Sequence, residues 1–196
     1  MEKIDVDVSL ASRLFAPRLT VLVTSIDKMG RANIITLSWA MPTSFDPPLV
    51  AISVGEQRYS HELIESCKEF VVNIPSQDIL EKVQLCGSRS GRGVDKFSES
   101  GLTQLPSKKV KPPRIKECVA HLECKLIDSL RTGDHTIFIG EVLAASVDEE
   151  AFDRRGGMMK LEIFKPILHL AGHYFSTSSG IKQVSSHGGL VVGSAH

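Results

Sequence analysis

The sequence lacks the cysteine patterns that would assign it to a zinc-binding or disulfide-exchange class. Its four cysteines are scattered, and no two of them form a C-x-x-C pair. Such pairs build zinc ribbons and thioredoxin-type sites, so both classes are excluded. We expect reduced thiols that mainly fill packing space at the four positions, which are Cys67, Cys86, Cys118 and Cys124.

Long apolar runs and a net charge are also missing. No window approaches the ~18 uninterrupted apolar residues of a membrane span, and the stretch from Met1 to Asp7 lacks the apolar core of a signal peptide. The 23 basic residues balance the 23 acidic ones, so no overall field attracts a polyanion such as DNA. These absences predict a cytoplasmic protein that binds neither membranes nor nucleic acid. The 196 residues, 42% of them hydrophobic, suit one globular domain.

Strand signals dominate the first half of the chain. Leu19 to Ile26 and Arg31 to Trp39 read as strands joined by a turn at Asp27 to Gly30, which predicts a hairpin. Leu49 to Val54, after two prolines, predicts a third strand. Two short helices are predicted from Ser60 and Ser76 as N-caps, the second ending at Gly87.

The second half continues in the same way. From Val119 apolar and polar residues alternate, which predicts a half-exposed strand with His121, Glu123 and Lys125 on its wet face. A long strand from His135 to Val147, interrupted at Gly140, and a short one from Ile167 to Leu170 follow. At least seven strands with few crossover helices favour a mainly β fold, an antiparallel barrel with helical insertions. We expect the domain to span residues 1–175 and residues 176–196 to form a tail or an arm that contacts a partner subunit.

One loop, Ser88 to Phe97, combines serines, glycines and cations. Arg89, Arg92 and Lys96 supply charge, and glycines let successive backbone N–H groups point into one concavity. Such a loop suits a phosphate monoester. The same residues would also form a solvated basic loop without a ligand, and the loop alone does not separate these two interpretations.

Short fragments along most of the chain together resemble the flavin reductase-like family of FMN-binding split β-barrels, which includes the flavoredoxins. The resemblance implies a six-stranded Greek-key barrel that acts as a homodimer with one FMN per subunit. The fragments are Val23-Thr24-Ser25, Gly30-Arg31-Ala32-Asn33, Thr36-Leu37-Ser38-Trp39, Pro47-Pro48-Leu49-Val50-Ala51-Ile52-Ser53-Val54, Arg58-Tyr59-Ser60-His61, Phe70-Val71-Val72-Asn73, the loop ending at Lys96-Phe97, Gly133-Asp134-His135 and Gly140-Glu141-Val142.

The resemblance also implies which residues hold FMN. The phosphate is expected to contact Arg58, Lys96, Ser60, Ser88 and the amides at the start of the Ser60 helix. Without a ligand, the two cations would be interpreted as ordinary surface charges. Thr36 and Ser38 recur at period 2, which by spacing alone indicates a wet strand face; the resemblance instead places them at the flavin ring edge. The full set of expected FMN contacts is Asn33, Thr36, Ser38, Trp39, Ser53, Val54, Arg58, Tyr59, Ser60, Ser88, Gly91, Lys96, Phe97 and Tyr174.

Trp39 is expected to pack against the flavin ring, and the alternative is a position in the barrel core. Tyr174 is expected either to stack near the ring or to close the mouth of the barrel. His135, after a Gly-Asp turn, is the candidate catalytic contact to the nicotinamide or the ring, or else a hydrogen-bonded turn residue. No strand is followed by G-x-G-x-x-G, so no separate NAD domain is predicted. The histidines show no metal-binding spacing, and no metal site is predicted.

The resemblance implies an FMN-dependent oxidoreductase that passes electrons from NAD(P)H or a redox protein to free flavin, a ferric chelate or a partner. The alternative is a non-catalytic protein that only binds or carries FMN and does not use NAD(P)H directly.

Overall fold

The computed structural model describes residues 1–178 and two short strands beyond them. In chain order the strands are β1 (Arg18–Leu19), β2 (Val21–Ile26), β3 (Ala32–Leu37), β4 (Ala40–Phe45), β5 (Pro48–Gly55), β6 (Glu69–Ile74), β7 (Gln104–Leu105), β8 (Arg114–Ile115), β9 (Ala120–Thr132), β10 (His135–Val147), β11 (Phe152–Asp153), β12 (Met158–Met159), β13 (Leu168–Ala171), β14 (Tyr174–Ser176), β15 (Gln183–Val184) and β16 (Leu190–Val191). The helices are α1 (Tyr59–Cys67), α2 (Leu80–Ser88) and α3 (Lys96–Ser100), with 3₁₀ turns at Val8–Phe15, Gln77–Ile79 and Glu149–Ala151.

A seven-stranded antiparallel sheet in the order β3-β2-β6-β9-β10-β5-β4 forms the body of the molecule. Contacts between β3 and β5 bring its two ends together. The sheet curves around an apolar core that includes Val23, Ile52, Phe70 and Phe138. This arrangement confirms the mainly β, antiparallel split-barrel prediction.

A second core lies outside the barrel, beneath α2 and α3. Leu22 and Ile34 pack there against Val83 and Phe97. One face of β2 packs against the barrel core and the other packs against the second core, so all six residues of the strand are buried. The helices are therefore held against β2 and β3, the strands that border the candidate site described below.

The β2–β3 hairpin is confirmed. The Asp27 side chain accepts hydrogen bonds from the amides of Met29 and Arg31 at 2.8 and 2.9 Å, and Gly30 has φ +81°. Such a positive φ favours glycine, so the residue types in the turn fix the connection between the two strands.

The predicted helix starts are wrong in detail. Helix α1 has Arg58 at its N-cap, and the Ser60 hydroxyl instead accepts a hydrogen bond from Asn33. Ser76 precedes a 3₁₀ turn and makes no side-chain cap bond, because its hydroxyl lies near the Lys165 backbone. Gly87 lies inside α2, which ends one residue later, at Ser88.

The wet face predicted for β9 is wrong at two of its three residues, which a neighbouring segment covers, while Lys125 is exposed as predicted. His121 and Glu123 are buried. The Glu123 carboxylate accepts hydrogen bonds from the backbone amides of Lys108 and Lys109 at 2.8 and 2.6 Å. A buried carboxylate with such donors is satisfied, so the polar face of the strand anchors the segment between β7 and β8.

Gly140 does not interrupt its strand. β10 continues through it, with a register shift between Ile139 and Gly140. A side chain could not fit at this position, because a Cβ would lie 2.5 Å from Cζ of Phe70.

All four cysteines are free thiols. Cys86, Cys118 and Cys124 are buried, and desolvation raises the pKa of Cys124 to about 12 and that of Cys118 further still. In the described part of the chain no helix is both long and apolar enough to cross a membrane. Most of the predicted tail or arm, residues 176–196, lies outside the described residues.

Candidate functional site

A polar cavity of about 270 Å³, called the polar cavity below, lies where the end of β3, the start of α1, the end of α2 and the start of β10 meet. Its lining residues are Asn33, Ile35, Thr36, Leu37, Ser38, Trp39, Ser53, Gly55, Gln57, Arg58, Tyr59, Ser60, Cys86, Gly87, Arg89, Ser90, Gly91, Lys96 and His135.

All charged Lys, Arg, Asp or Glu side chains in this lining are basic. Arg58, Arg89 and Lys96 line the polar cavity, and no Asp or Glu is among the described residues that do. Arg89 makes only a loose contact with Glu99, at 3.9 Å, and Arg58 has no carboxylate within ion-pair distance in the described part of the chain. Cations that share a partly enclosed space without a counter-ion create a site for an anion.

Lys96 is the most buried of these cations, with 5% of its surface exposed. Its Nζ donates to the carbonyl oxygens of Ile34 and Cys86, both at 2.7 Å. Burial lowers the pKa of Lys96; the nearby Cys86 thiol opposes this effect, and Arg58 adds to it. An ammonium group has three donors, so one remains for a ligand in the polar cavity.

Asn33 supplies an unused acceptor at the same place. Its Nδ2 donates to the Ser60 hydroxyl at 2.7 Å, while its buried Oδ1 has no partner among the described residues. Gly91 lies directly against that oxygen, and a Cβ there would be 2.0 Å from it. Buried polar atoms are rarely left unpaired, so Oδ1 is a candidate ligand contact.

The other end of the polar cavity carries aromatic rings. The rings of Trp39 and His135 lie 4.8 Å apart at 34°. His135 Nδ1 is 2.7 Å from Oδ1 of Asp134, and this hydrogen bond lowers the pKa of the carboxyl group. A carboxylate partner places the proton on Nδ1, which leaves Nε2 for a ligand. The Thr36 hydroxyl donates to the Val83 carbonyl at 2.7 Å, so it can only accept from a ligand.

Most of the residues expected to contact FMN are brought together here. The structure places around the polar cavity Asn33, Thr36, Ser38, Trp39, Ser53, Arg58, Tyr59, Ser60, Gly91, Lys96 and His135.

Four expected residues lie elsewhere. Val54, expected at the flavin through its main-chain groups, does not line the polar cavity, and its side chain is in the barrel core. The Phe97 side chain is in the second core, because its helix position faces inward. Ser88 donates its hydroxyl to the Leu85 carbonyl and lines a neighbouring cavity. Tyr174 is 75% exposed on β14 and does not line the polar cavity.

The loop Ser88 to Phe97 divides between two roles. Arg89, Ser90 and Gly91 line the polar cavity, whereas the Arg92 guanidinium donates a hydrogen bond to Glu62 at 2.8 Å and lies over the Tyr59 ring.

Gln57 also lines the polar cavity, and sequence reasoning missed it because nothing distinguishes a single glutamine in a turn. No cluster of three His, Cys, Asp or Glu side chains that could hold a metal ion occurs within the described residues.

Comparisons with known proteins bear on this site. Residues 13–178 match the model of the family described as "Flavin reductase like domain". An uncharacterized protein of Archaeoglobus fulgidus is 36% identical over 173 residues, covering 88% of this chain and 94% of that protein.

Two solved structures are similar over nearly their whole length. Flavoredoxin of Desulfovibrio vulgaris (Miyazaki F) has a TM-score of 0.83 and 27% identity, covering 95% of this chain and 97% of its own. Flavoredoxin from Methanosarcina acetivorans also has a TM-score of 0.83, with 28% identity and coverage of 95% and 96%. The chain belongs to the flavin reductase-like family.

Proposed function

We propose that the protein is an FMN-binding oxidoreductase of the flavin reductase or flavoredoxin type, which passes electrons from NAD(P)H or a protein donor to a flavin, a ferric chelate or a redox partner. The proposal rests chiefly on the polar cavity, where three cations line one space without any acidic side chain among the described residues, and where Asn33, whose buried Oδ1 is unpaired, forms part of the wall. The similarity to flavoredoxins supports FMN as the cofactor.

The phosphate would bind at the start of α1. Arg58 directly precedes this helix, and Lys96 is close enough to Arg58 for the two charges to interact. The first amides of a helix have no partner within it and point toward an anion. Arg58, the remaining donor of Lys96 and these amides would therefore bind the phosphate, with the Ser60 hydroxyl beside them.

The sugar-chain hydroxyls and the ring would fill the rest of the polar cavity. Asn33 Oδ1 is available to accept a hydrogen bond from a ribityl hydroxyl. Ser38, Ser53 and Trp39 would border the ring, and His135 would present Nε2 to it or to a nicotinamide. Bound FMN would supply the hydride and single-electron chemistry, and the protein would supply position and hydrogen bonds.

The phosphate site is tested by titrating FMN and riboflavin into the Arg58→Ala/Lys96→Ala double variant. We expect the affinity for FMN to fall, since each lost charge-assisted contact contributes on the order of 1.5–3 kcal/mol, while riboflavin binding changes little. Arg92→Ala is the matched control, because Arg92 belongs to the same loop and pairs with Glu62 outside the polar cavity. Equal affinities of the native protein for FMN and riboflavin would refute the phosphate assignment.

The role of His135 is tested by the His135→Ala variant. Stopped-flow reduction by NADH and NADPH should slow more than flavin binding weakens, because His135 lines the polar cavity and its Nε2 is not used by the bond to Asp134. His173→Ala serves as the control, since His173 lines another cavity. Unchanged kinetics would leave His135 as a turn residue.

A protein that binds FMN but accepts electrons from no donor would be the binding protein or carrier of the alternative hypothesis.

We also propose a homodimer. β4 is a terminal strand of the main sheet, and strands β4, β10 and β9 expose large apolar side chains. An uncovered terminal strand and exposed large apolar side chains favour association between copies. The residues concerned are Phe45, Ile127, Leu130, Leu143 and Val147.

A further inference from the structure

His61 follows the phosphate contacts expected on α1, yet it does not line the polar cavity. Its imidazole is buried and lies 5.0 Å from the ring of Phe138, at 59°. Phe138 belongs to the barrel core, and so does Ile64, which lies further along α1. The first turns of α1 therefore rest on the barrel core, and His61 brings a polar group into this contact.

The His61 imidazole is paired with a threonine of β10. Its Nε2 lies 2.8 Å from Oγ1 of Thr136, and both residues are buried. A carboxylate oxygen of Glu65 lies 3.7 Å from Nδ1, which favours a proton on Nδ1 and leaves Nε2 to accept from the threonine hydroxyl. That hydroxyl makes no second hydrogen bond within the described residues. His61 and Thr136 therefore satisfy each other at a place where an unpaired polar atom would be costly.

This hydrogen bond joins the two ends of the polar cavity. His61 follows Ser60, which lies beside the expected phosphate, and Thr136 follows His135, which lies at the ring end. Within the described residues it is the one hydrogen bond between α1 and β10. The position of the helix start relative to the start of β10 therefore depends on it.

A buried hydrogen bond fixes such a contact more narrowly than apolar packing does. Apolar contacts have no preferred direction, whereas a hydrogen bond tolerates only a limited range of distance and angle. FMN must meet the donors at its phosphate and the groups at its ring at the same time, so its affinity depends on their separation. Riboflavin lacks the phosphate and depends on the ring end alone.

We propose that His61 is a positioning residue of the flavin site: through Thr136 it holds the phosphate donors of α1 at the distance from the ring end that FMN requires. His61 itself touches no part of the cofactor. The inference rests on the proposed function, because it needs a phosphate at the start of α1.

The test compares FMN with riboflavin in Thr136→Val, which removes the hydroxyl and keeps a branched side chain. The dissociation constant for FMN should rise about tenfold, as for one lost hydrogen bond, while that for riboflavin keeps its native value. Thr136→Ser retains the hydroxyl and should bind FMN like the native protein. His61→Leu removes the same bond from the other side and should show the same selective loss, and adding Thr136→Val to it should cause no further loss.

Thr24→Val is the matched control. Thr24 is also a buried threonine whose hydroxyl donates a hydrogen bond, at 2.6 Å to the Pro113 carbonyl, but it lies on β2 and does not bond α1. Thr24→Val should lower the denaturant midpoint as Thr136→Val does and leave the ratio of the two dissociation constants unchanged. If Thr136→Val weakens FMN and riboflavin equally, or if Thr24→Val lowers the preference for FMN as much, His61 has only a structural role and the proposal is overturned.

The same titrations separate this inference from the proposed function. A native protein that binds FMN and riboflavin equally well has no phosphate site, and that result overturns both. A native preference for FMN that survives unchanged in Thr136→Val and His61→Leu refutes the positioning role alone.

Discussion

At the scale of single residues, Lys96 combines two roles that usually exclude each other. It is a buried lysine that bonds two backbone carbonyls, one on β3 and one on α2, and it also faces the polar cavity. The loop sequence predicted a cation at this position but not its burial, because burial depends on how α3 packs against β3. The same limit applies to Phe97 and Val54. Their sequence neighbours Lys96 and Ser53 line the polar cavity, whereas their own side chains face the cores.

We predict that FMN binding depends on the protonation of Lys96. Burial lowers the pKa of this group from its ordinary 10.5 in the free protein, and a phosphate dianion would raise it again. Since only the ammonium form attracts phosphate, the affinity should be constant below the lowered pKa and fall as the pH rises through it. Fluorescence titrations with FMN from about pH 7.5, where the phosphate is a dianion, up to 10.5 would measure the decline.

Two controls isolate the lysine from other alkaline titrations. Riboflavin carries the same ring without the phosphate, so its affinity should not show the decline. The Lys96→Gln variant should bind FMN weakly at every pH and give a flat profile. A native profile that follows riboflavin would contradict the prediction.

At the scale of elements, the sequence patterns predicted the positions of the strands more accurately than they predicted which face of each strand is buried. The hairpin turn was predictable because Asp27 and Gly30 act within a few residues. β4 was missed because Pro42 and Ser44 weaken its strand signal; the structure accommodates them with a register shift between these two residues. The buried face of β9 was unpredictable from alternation, since the segment that covers it follows β7.

Glu123 should therefore determine how firmly that segment is held. Its carboxylate binds the amides of Lys108 and Lys109 and lies 3.6 Å from Nε of Arg114. In Glu123→Gln one oxygen becomes a donor facing other donors, so the free energy of unfolding should fall by about 1–3 kcal/mol. Hydrogen exchange at the two lysine amides should accelerate more than exchange in the barrel strands.

The matched control for this prediction is Glu141→Gln on β10, because Glu141 makes no side-chain hydrogen bond or ion pair within the described residues. Its denaturant midpoint and its exchange rates should stay at native values. Equal stability of the two variants would show that the carboxylate does not anchor the segment.

At the scale of the whole molecule, the polar cavity lies at the junction of elements that are distant in sequence. Asn33, Ser60 and Gly91 meet at one point although they come from β3, α1 and the loop before α3. The residue types of this site were predictable from their resemblance to a family pattern, whereas the unpaired oxygen of Asn33 and the absence of acidic side chains around the polar cavity within the described residues emerged only from the fold. Function here depends on the barrel bringing these segments together.

The proposed dimer makes the last prediction. Phe45 is 99% exposed at the end of β4, which is a terminal strand of the main sheet. A stable interface buries about 1,200–2,000 Å², and a charge placed within it would have to be desolvated without a partner. Phe45→Lys should therefore shift the protein from dimer to monomer in sedimentation equilibrium.

Met29→Lys is the control for surface charge, because Met29 is also apolar and is 82% exposed but lies at the β2–β3 turn and not on β4. It should sediment like the native protein. If the native chain is monomeric at micromolar concentrations, the exposed side chains of β4, β9 and β10 do not join two copies. If the dimer persists in Phe45→Lys, the copies meet on another surface.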